Sequence, residues 1–257
     1  MSTPCALCTG SRNGVIRLAF IVPAHKRFDL ARVCLRQLRR TCDSLEQHGI
    51  LATAVVVADD DNLRTARRLD FATVKQENRL GWRWNDGFEF AARYLGCHFV
   101  VPCGSDDWID YRLIVRHLPA VRRGSSTVGA HRKCSIVNER GTRMAKLHIP
   151  YPGGDGIRII QTRTLKPLRY RPADDRRVRA IDTSIGKNLG RVRFNYLDID
   201  PLQIVEFKSP DEQLNSYKRS LIYAEGASPV PWRKLAERYG KEPVSQIRDL
   251  YASHSYA

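Results

Sequence analysis

Apolar residues run almost unbroken through "IRLAFIVPAH" (16–25), which predicts a buried strand ended by Pro23. The period then changes. In "FDLARVCLRQLRRTCDSL" (28–45), Ala31, Cys34, Leu35, Leu38, Cys42 and Leu45 recur at helical spacing, so one stripe faces a core. "ATAVVVADDD" (52–61) reads as a second apolar strand running into acids, and "NLRTARRL" as a short helix. A short strand near "ATVKQ", a helix over "GWRWNDGFEFAARYLG" (81–96) and a strand at "HFVVP" follow. Strand alternates with helix, and the strands are continuously apolar rather than alternating. That combination predicts an α/β fold with a mostly parallel sheet flanked by helices.

The pattern loosens after residue 124. "STVGAHRKCSIVN" reads as one or two strands, and residues 150–180, rich in Arg, Pro and Gly, as loops. "SPDEQLNSYKRSLI" (209–222) opens with Ser209 as a helix cap and Pro210 at the first helical position. "VPWRKLAERYG" and "PVSQIRDLYA" suggest two terminal helices. A tail (1–15), a first half (16–111), a second half (112–193) and a helical extension (194–257) then make one domain overall. No run of about 18 apolar residues predicts a membrane span. "MSTPCALCTG" lacks the regions of a signal peptide, so a cytoplasmic protein is expected.

Charge changes this picture. The net charge is +16, but residues 1–111 carry +2 and residues 194–257 carry −1. Residues 112–193 hold 20 Lys/Arg against 5 Asp/Glu. An excess confined to one segment points to a polyanionic partner there. The alternative is a solvated surface that reflects an arginine-rich composition. The seven cysteines read as thiols. Cys5 and Cys8 form one C-x-x-C without the second pair that a zinc site needs, and Cys34 and Cys42 fall on the core stripe of their helix.

Three strand ends carry chemistry: Pro23, Ala24, His25 and Arg27 after the first, Asp59, Asp60 and Asp61 after the second, and Gly104, Ser105, Asp106 and Asp107 after "HFVVP". In open parallel sheets ligands bind at the carboxyl ends of strands. Carboxylates there make sense if a divalent cation bridges them to a phosphate, or if they accept hydrogen bonds from ribose or a base. The competing reading is plain helix capping, with Asp106 and Asp107 capping "WIDYRLIVRHL" and Asp59–Asp61 capping "NLRTARRL". Trp82 and Trp84, two apart on one helix, face different ways, and core packing is the default for both.

The order "FIVPAHKR", "VVVADDD", "ENRLGWRWNDGFEFA", "VVPCGSDDWID" resembles the nucleotide-sugar half of glycosyltransferase family 2, which has the glycosyltransferase-A fold. The resemblance covers roughly residues 16–110, with weaker echoes to about 190. It implies that Pro23, Ala24 and Arg27 cup the nucleotide and that Asp59 or Asp60 contacts the base. It implies that Asn78, Gly81 and Asn85 open a helix across the site, and that Ser105 and Asp106 face the nucleotide sugar. Asp106 and Asp107 would hold Mn²⁺ or Mg²⁺. The family's acidic D-x-D motif departs here, because Gly104 stands where its first acid belongs.

In the second half the resemblance implies a carboxylate before a helix as general base. "RRVRAIDTSIGKNL" offers Asp182, and Asp174 and Asp175 are the runners-up; the competing reading of Asp182 is a helix cap. Arg163, Arg169, Arg171, Arg176 and Arg177 surround this region as candidate acceptor contacts, with Lys166 and Arg179 nearby and Tyr151 and Tyr170 between them. Some viral relatives in this broad class glycosylate modified bases in their own DNA. The resemblance and the charge together lead to a UDP-sugar donor and a hydroxymethylated DNA base as favoured acceptor. A protein or cell-wall acceptor, and a non-catalytic nucleic-acid-binding protein on this fold, are the competing functions.

Overall fold

The computed structural model describes residues 15–77, 79–122, 127–130, 133–137, 145–148, 158–177, 181–189, 194–197, 200–208 and 229–253. In chain order the elements begin with β1 (Ile16–Pro23), α1 (Phe28–Glu46), β2 (Ile50–Ala58), α2 (Asp60–Arg68), β3 (Ala72–Lys75), α3 (Leu80–Arg93) and β4 (Phe99–Pro102). Next come β5 (Asp107–Ile109), α4 (Tyr111–Arg122), β6 (Thr127–Ala130), β7 (Lys133–Val137), β8 (Ala145–His148) and β9 (Arg158–Gln161). The chain continues through α5 (Thr162–Leu165), α6 (Ile181–Asn188), β10 (Phe194–Leu197), β11 (Ile204–Lys208), β12 (Pro229–Val230), α7 (Trp232–Tyr239) and α8 (Lys241–Ser253).

A seven-stranded sheet runs in the order β10-β6-β9-β4-β1-β2-β3. β1 pairs in parallel with β2 and β4, β2 with β3, and β6 with β10; β9 alone runs antiparallel to its neighbours β4 and β6. A second sheet, β12-β8-β7-β11-β5, stands beside it. The unbroken apolar run of β1 has a direct cause. Leu18, Phe20 and Val22 pack on one face with α1, α2 and α4, while Ala19 and Ile21 pack on the other with α3 and α6. A third cluster joins α1 to β5, β11, α7 and α8 around Trp108, Phe207 and Tyr239.

The helices and strands expected up to "HFVVP" are present. "STVGAHRKCSIVN" forms two strands, β6 and β7. The stretch 150–180 is not all loop: β9 and α5 lie in it. Arg158–Gln161 is buried along its whole length, but four residues are too few to show a period. The expected helix 209–222 lies outside the described residues, as do Cys5, Cys8, Tyr151 and Arg179. Cys34, Cys42, Cys97 and Cys103 are buried free thiols, and burial pushes Cys42 and Cys97 up to about 12. Among the described residues no helix is long and apolar enough to cross a membrane.

Gly87 sets how closely α3 lies on the sheet. A Cβ there would overlap Ile21 Cγ2 and stand 3.1 Å from Val57 Cγ2, side chains of the two central strands. Gly87→Ala is therefore expected to lower stability by about 1–3 kcal/mol despite alanine's better helix propensity. Denaturant unfolding of both proteins measures this, and an equal or higher midpoint for the variant would show that the helix can lift without strain.

Candidate active site

The parallel register fixes where the chemistry gathers. Pro23 pairs with Val57 and Ile21 with Pro102, so the chain leaves β1, β2 and β4 at nearly one level. Ala24 N–H donates to Val57 O (3.0 Å) and Cys103 N–H to Ile21 O (2.9 Å), carrying the pairing one step beyond the strands. The loops holding His25, Arg27, Asp59 and Asp106 therefore converge.

Asp59 stands at the N-cap position of α2 but makes no capping bond. Its Oδ2 accepts from His25 Nδ1–H at 2.8 Å; because a carboxylate only accepts, the imidazole proton lies on Nδ1. Asp59 Oδ1 is buried and has no hydrogen-bond partner. Arg83, buried in α3, donates from Nη1 to Ala24 O (2.6 Å) and sets Nη2 3.9 Å from Asp59 Oδ2. Nη2 also lies 3.4 Å from His25 Nδ1, and with that nitrogen protonated the approach is electrostatic rather than a hydrogen bond. Burial lowers the Arg83 pKa, and the charges of Asp59 and Glu77 oppose the shift.

Asp106 and Asp107 do not cap the next helix either. Asp107 belongs to β5 and pairs with Glu206 of β11, while Asp110 receives the Arg112 amide (3.0 Å) at the start of α4. Asp106 is 5% exposed, its carbonyl accepts from Phe207 N–H (2.9 Å), and its Oδ2 accepts from Arg27 Nη1 at 2.7 Å. Asp107 Oδ2 accepts from Gly104 N–H (2.6 Å). Gly104 explains the departure from the D-x-D pattern: a Cβ there would sit 2.6 Å from Asp106 Oδ1 and 2.8 Å from Asp107 Oδ2. Both carboxylates fold over the space a side chain would fill, so a third acid here would have to displace them.

Lys26 and Arg27 are consecutive left-handed residues (φ 55° and 49°), an uncommon conformation for residues with a Cβ. Asn62, 1% exposed, holds the loop by donating to Lys26 O (3.2 Å). The loop turns the Arg27 side chain onto Asp106.

The residues expected around the helix divide. Asn78 lies outside the described residues. Gly81 and Asn85, expected against the nucleotide sugar, hold the loop 173–177. A Cβ at Gly81 would overlap the Asp174 carbonyl, and Gly81 N–H donates to Arg177 O (3.0 Å). Asn85, 1% exposed, donates to Ala173 O (2.8 Å) and Asp175 Oδ1 (2.7 Å) and accepts from Ala173 N–H (2.8 Å). Asp60 opens α2, and Pro23, Ala24 and Ser105 line the strand ends.

Asp182 is the second residue of α6, inside its first turn rather than before it. α6 reaches the same loop through Ser184 Oγ, which accepts from Asp174 N–H (3.2 Å), and through Asn188, which donates to Pro172 O (2.8 Å). The runners-up are engaged. The Arg176 amide, donating to Asp174 Oδ1 at 3.0 Å, holds the Asp174 carboxyl below the usual range, and Asp175 accepts from Asn85 and Arg171.

The five acceptor arginines do not gather in one place. Arg171 bonds Asp86 (2.9 Å), Glu89 (3.3 Å) and Asp175 (3.2 Å) and lies 4.9 Å from the Trp82 ring, which leaves Trp82 40% exposed while Trp84 is in the core. Arg163 follows β9, whose Gln161 pairs with Phe99 at the opposite end of the sheet. Arg169 adjoins Tyr170, which lies under Arg93 at the far end of α3, about 20 Å from its start. Arg176 and Arg177 are beside the site end of that helix. Arg83 is the addition the structure makes, while His25, already noted at the end of the first strand, gains Asp59 as its partner. Arg83 was legible only as a cation on a helix face otherwise filled by Trp84, Gly87 and Phe88.

Asn85→Ala removes three hydrogen bonds, two of them buried, and is expected to reduce stability by about 2–4 kcal/mol and expose residues 171–177 to protease. Urea unfolding with limited proteolysis checks both, and unchanged cleavage would show that the loop is held by other contacts.

No family model and no curated protein matches this chain. Solved structures do. Residues 1–349 of S. aureus TarS in complex with UDP superpose with a TM-score of 0.55 at 18% identity, over 76% of this chain and 61% of that one. Mannosyltransferase PcManGT from Pyrobaculum calidifontis, in complex with GDP-Man and Mn²⁺, gives 0.53 at 12%, over 94% and 75%. This chain thus spans about three fifths of the TarS fragment's length. With its mostly parallel central sheet flanked by helices, the chain has the glycosyltransferase-A-like fold of these proteins.

Proposed function

We propose that this protein transfers a sugar, with inversion, from a nucleotide-sugar donor to an acceptor hydroxyl. The observation that carries the reading is the placement of Asp59, Asp106 and Asp107 at the ends of β2 and β4, the two strands that flank β1, with no side-chain cap made by any of them. UDP bound to TarS, and GDP-Man with Mn²⁺ bound to the mannosyltransferase, support a nucleotide-sugar site on this fold. In our reading the donor is a UDP-sugar. Asp59 contacts the base, while His25 and Arg83 hold the carboxylate in place.

The acids at the end of β4 suit a hard divalent cation. Among the described residues no group of three or more His, Cys, Asp or Glu could hold a metal, but a diphosphate supplies oxygens of its own, and one or two carboxylates suffice for Mg²⁺ or Mn²⁺. Asp106 and Asp107 would hold it. When bound, it neutralises charge on the leaving diphosphate. Asp182 is the general base that takes the proton of the acceptor hydroxyl as its oxygen attacks the anomeric carbon and the bond to the diphosphate breaks. The alternatives Asp174 and Asp175 are tied to Arg176, Asn85 and Arg171.

The segregated charge of residues 112–193 favours a polyanionic acceptor, and we place a hydroxymethylated base of DNA there, with Arg176 and Arg177 nearest the site. Four buried, unpaired thiols suit a cytoplasm.

Donor hydrolysis with a UDP-sugar and Mn²⁺ tests the reading. Wild type is expected to release UDP slowly without acceptor. Asp106→Ala is expected to abolish release, and Asp182→Asn to keep UDP binding but lose transfer by a factor of about 10² or more. Full turnover by Asp106→Ala would remove it from the site, and a crippled Asp174→Asn would move the base to that residue.

For the acceptor, duplex DNA binding is expected to fall with a log–log salt slope of about −0.9 per phosphate contacted, and Arg176→Ala with Arg177→Ala to flatten it by up to about two units. Equal slopes would take this pair out of the interface. No DNA binding by wild type at low salt would leave a protein or cell-wall acceptor, and DNA binding with no donor hydrolysis would make the chain a non-catalytic binder.

A further inference from the structure

We infer that residues 163–177 form a rail along α3 that grips duplex DNA at two points, one at the strand-end site and one at the far end of the helix. This rests on the nucleic-acid acceptor reading above and goes beyond it by assigning a second contact surface and a minimum length of partner.

The segment runs back along the helix from its end to its start. Thr162 N–H donates to His98 O (3.0 Å), and Arg93 lies 5.3 Å over the Tyr170 ring, so the segment sets out from the end of α3. Arg171 then bonds Glu89 (3.3 Å) and Asp86 (2.9 Å), one and two turns back. Asn85 holds Ala173, and Gly81 N–H meets Arg177 O (3.0 Å) at the helix start. From Leu80 to Arg93 the helix rises about 20 Å.

Charge gathers at the two ends of this path. Residues 156–173 contain no Asp or Glu. Arg163, Lys166 and Arg169 are exposed, and among the described residues none of the three bonds a carboxylate. The cations of α1 differ: Arg32, Arg39 and Arg40 pair with Asp29, Asp43 and Glu242. In the middle of the path Arg171 is spent on carboxylates. At the helix start Arg176 is exposed with no carboxylate on its side chain among the described residues, and Arg177 shares Asp174 (3.3 Å). The far cluster makes its own field. Burial, and then the charges of Arg17 and Arg122, lower the pKa of His98 beside it. Tyr94, 74% exposed next to Arg93, adds a flat ring and a hydroxyl that suit a sugar–phosphate chain.

A small acceptor reaches the strand-end site alone and has no use for cations about 20 Å away. A phosphate polymer meets both clusters, because its charge repeats. At about 3.4 Å per base pair, the distance corresponds to roughly six base pairs. Holding one molecule at two points raises affinity only when that molecule spans both.

The test uses the full chain and labelled DNA hairpins with stems of about 4 to 16 base pairs, titrated at several salt concentrations. Wild type is expected to bind a stem of about 12 base pairs at least tenfold more tightly than one of about 4. Arg163→Gln, Lys166→Gln and Arg169→Gln together are expected to remove most of that advantage and to flatten the log–log salt slope by about two to three units. Arg163→Gln with Lys166→Gln serves if the triple variant does not fold, with a slope change of up to about two units. The control is Arg36→Gln, Arg67→Gln and Arg68→Gln, which removes the same charge from α1 and α2 on the opposite face of the sheet and is expected to keep the wild-type length dependence. A far-end variant that matches wild type, or a control that loses as much, overturns the rail while leaving Arg176 and Arg177 standing as acceptor contacts. Wild type that binds no hairpin at low salt, even if it binds phosphatidylserine vesicles, overturns the rail and the nucleic-acid acceptor together. Loss of length dependence confined to the far-end variants supports the two-point grip.

Discussion

The parallel register of β1 with β2 and β4 is the constraint on which the rest depends. Because Val57 and Pro102 stand beside Pro23 and Ile21, three loops leave the sheet together, and residues 34 to 79 positions apart in sequence come into contact. His25 meets Asp59, and Arg27 meets Asp106. Strands buried on both faces hold this register firmly, since a slip of one residue would exchange the environments of Phe20 and Ile21 and every residue like them. A ligand at these strand ends therefore meets groups whose spacing is set by backbone hydrogen bonds rather than by flexible loops.

Electrostatics at the site follows from burial. Two cations, Arg27 and Arg83, have been drawn in against the carboxylates of Asp106 and Asp59, and each also serves a backbone purpose. Arg83 ties down the Ala24 carbonyl, and Arg27 forms the start of α1. Such part-buried ion pairs add little stability compared with apolar packing. Asp59 Oδ1 is left buried without a donor.

The loop 173–177 is built from α3 outward. Gly81 and Asn85 clamp the loop 173–177, Arg171 locks it through Asp86 and Glu89, and Ser184 and Asn188 attach α6 behind it. The helix that carries Asp182 is thus positioned by contacts at one remove from the sheet. Arg171 is part of this scaffold, with its charge met by three carboxylates, so a count of arginines along the chain overstates how many are available to a polyanion.

Much of this was written in the chain itself. The apolar runs at Ile16–Pro23, Ile50–Ala58 and Phe99–Pro102, and the helical stripe over Phe28–Glu46, determine a parallel α/β core, because burial on both faces admits no alternation and a helix must bury one stripe. The acids at the strand ends were equally plain. Whether they cap helices was not, since a cap and a ligand-facing carboxylate occupy the same sequence position. Only the tertiary structure separated them, by placing Asp59 against His25, Asp106 against Arg27 and Asp110 at the start of α4. It also decided what Gly104, Gly81 and Asn85 do, because each answers to atoms folded against it, two of them from a loop some ninety residues away. Local pattern records which face of an element is buried; the partner that buries it comes from elsewhere in the chain, and that is information no short stretch contains.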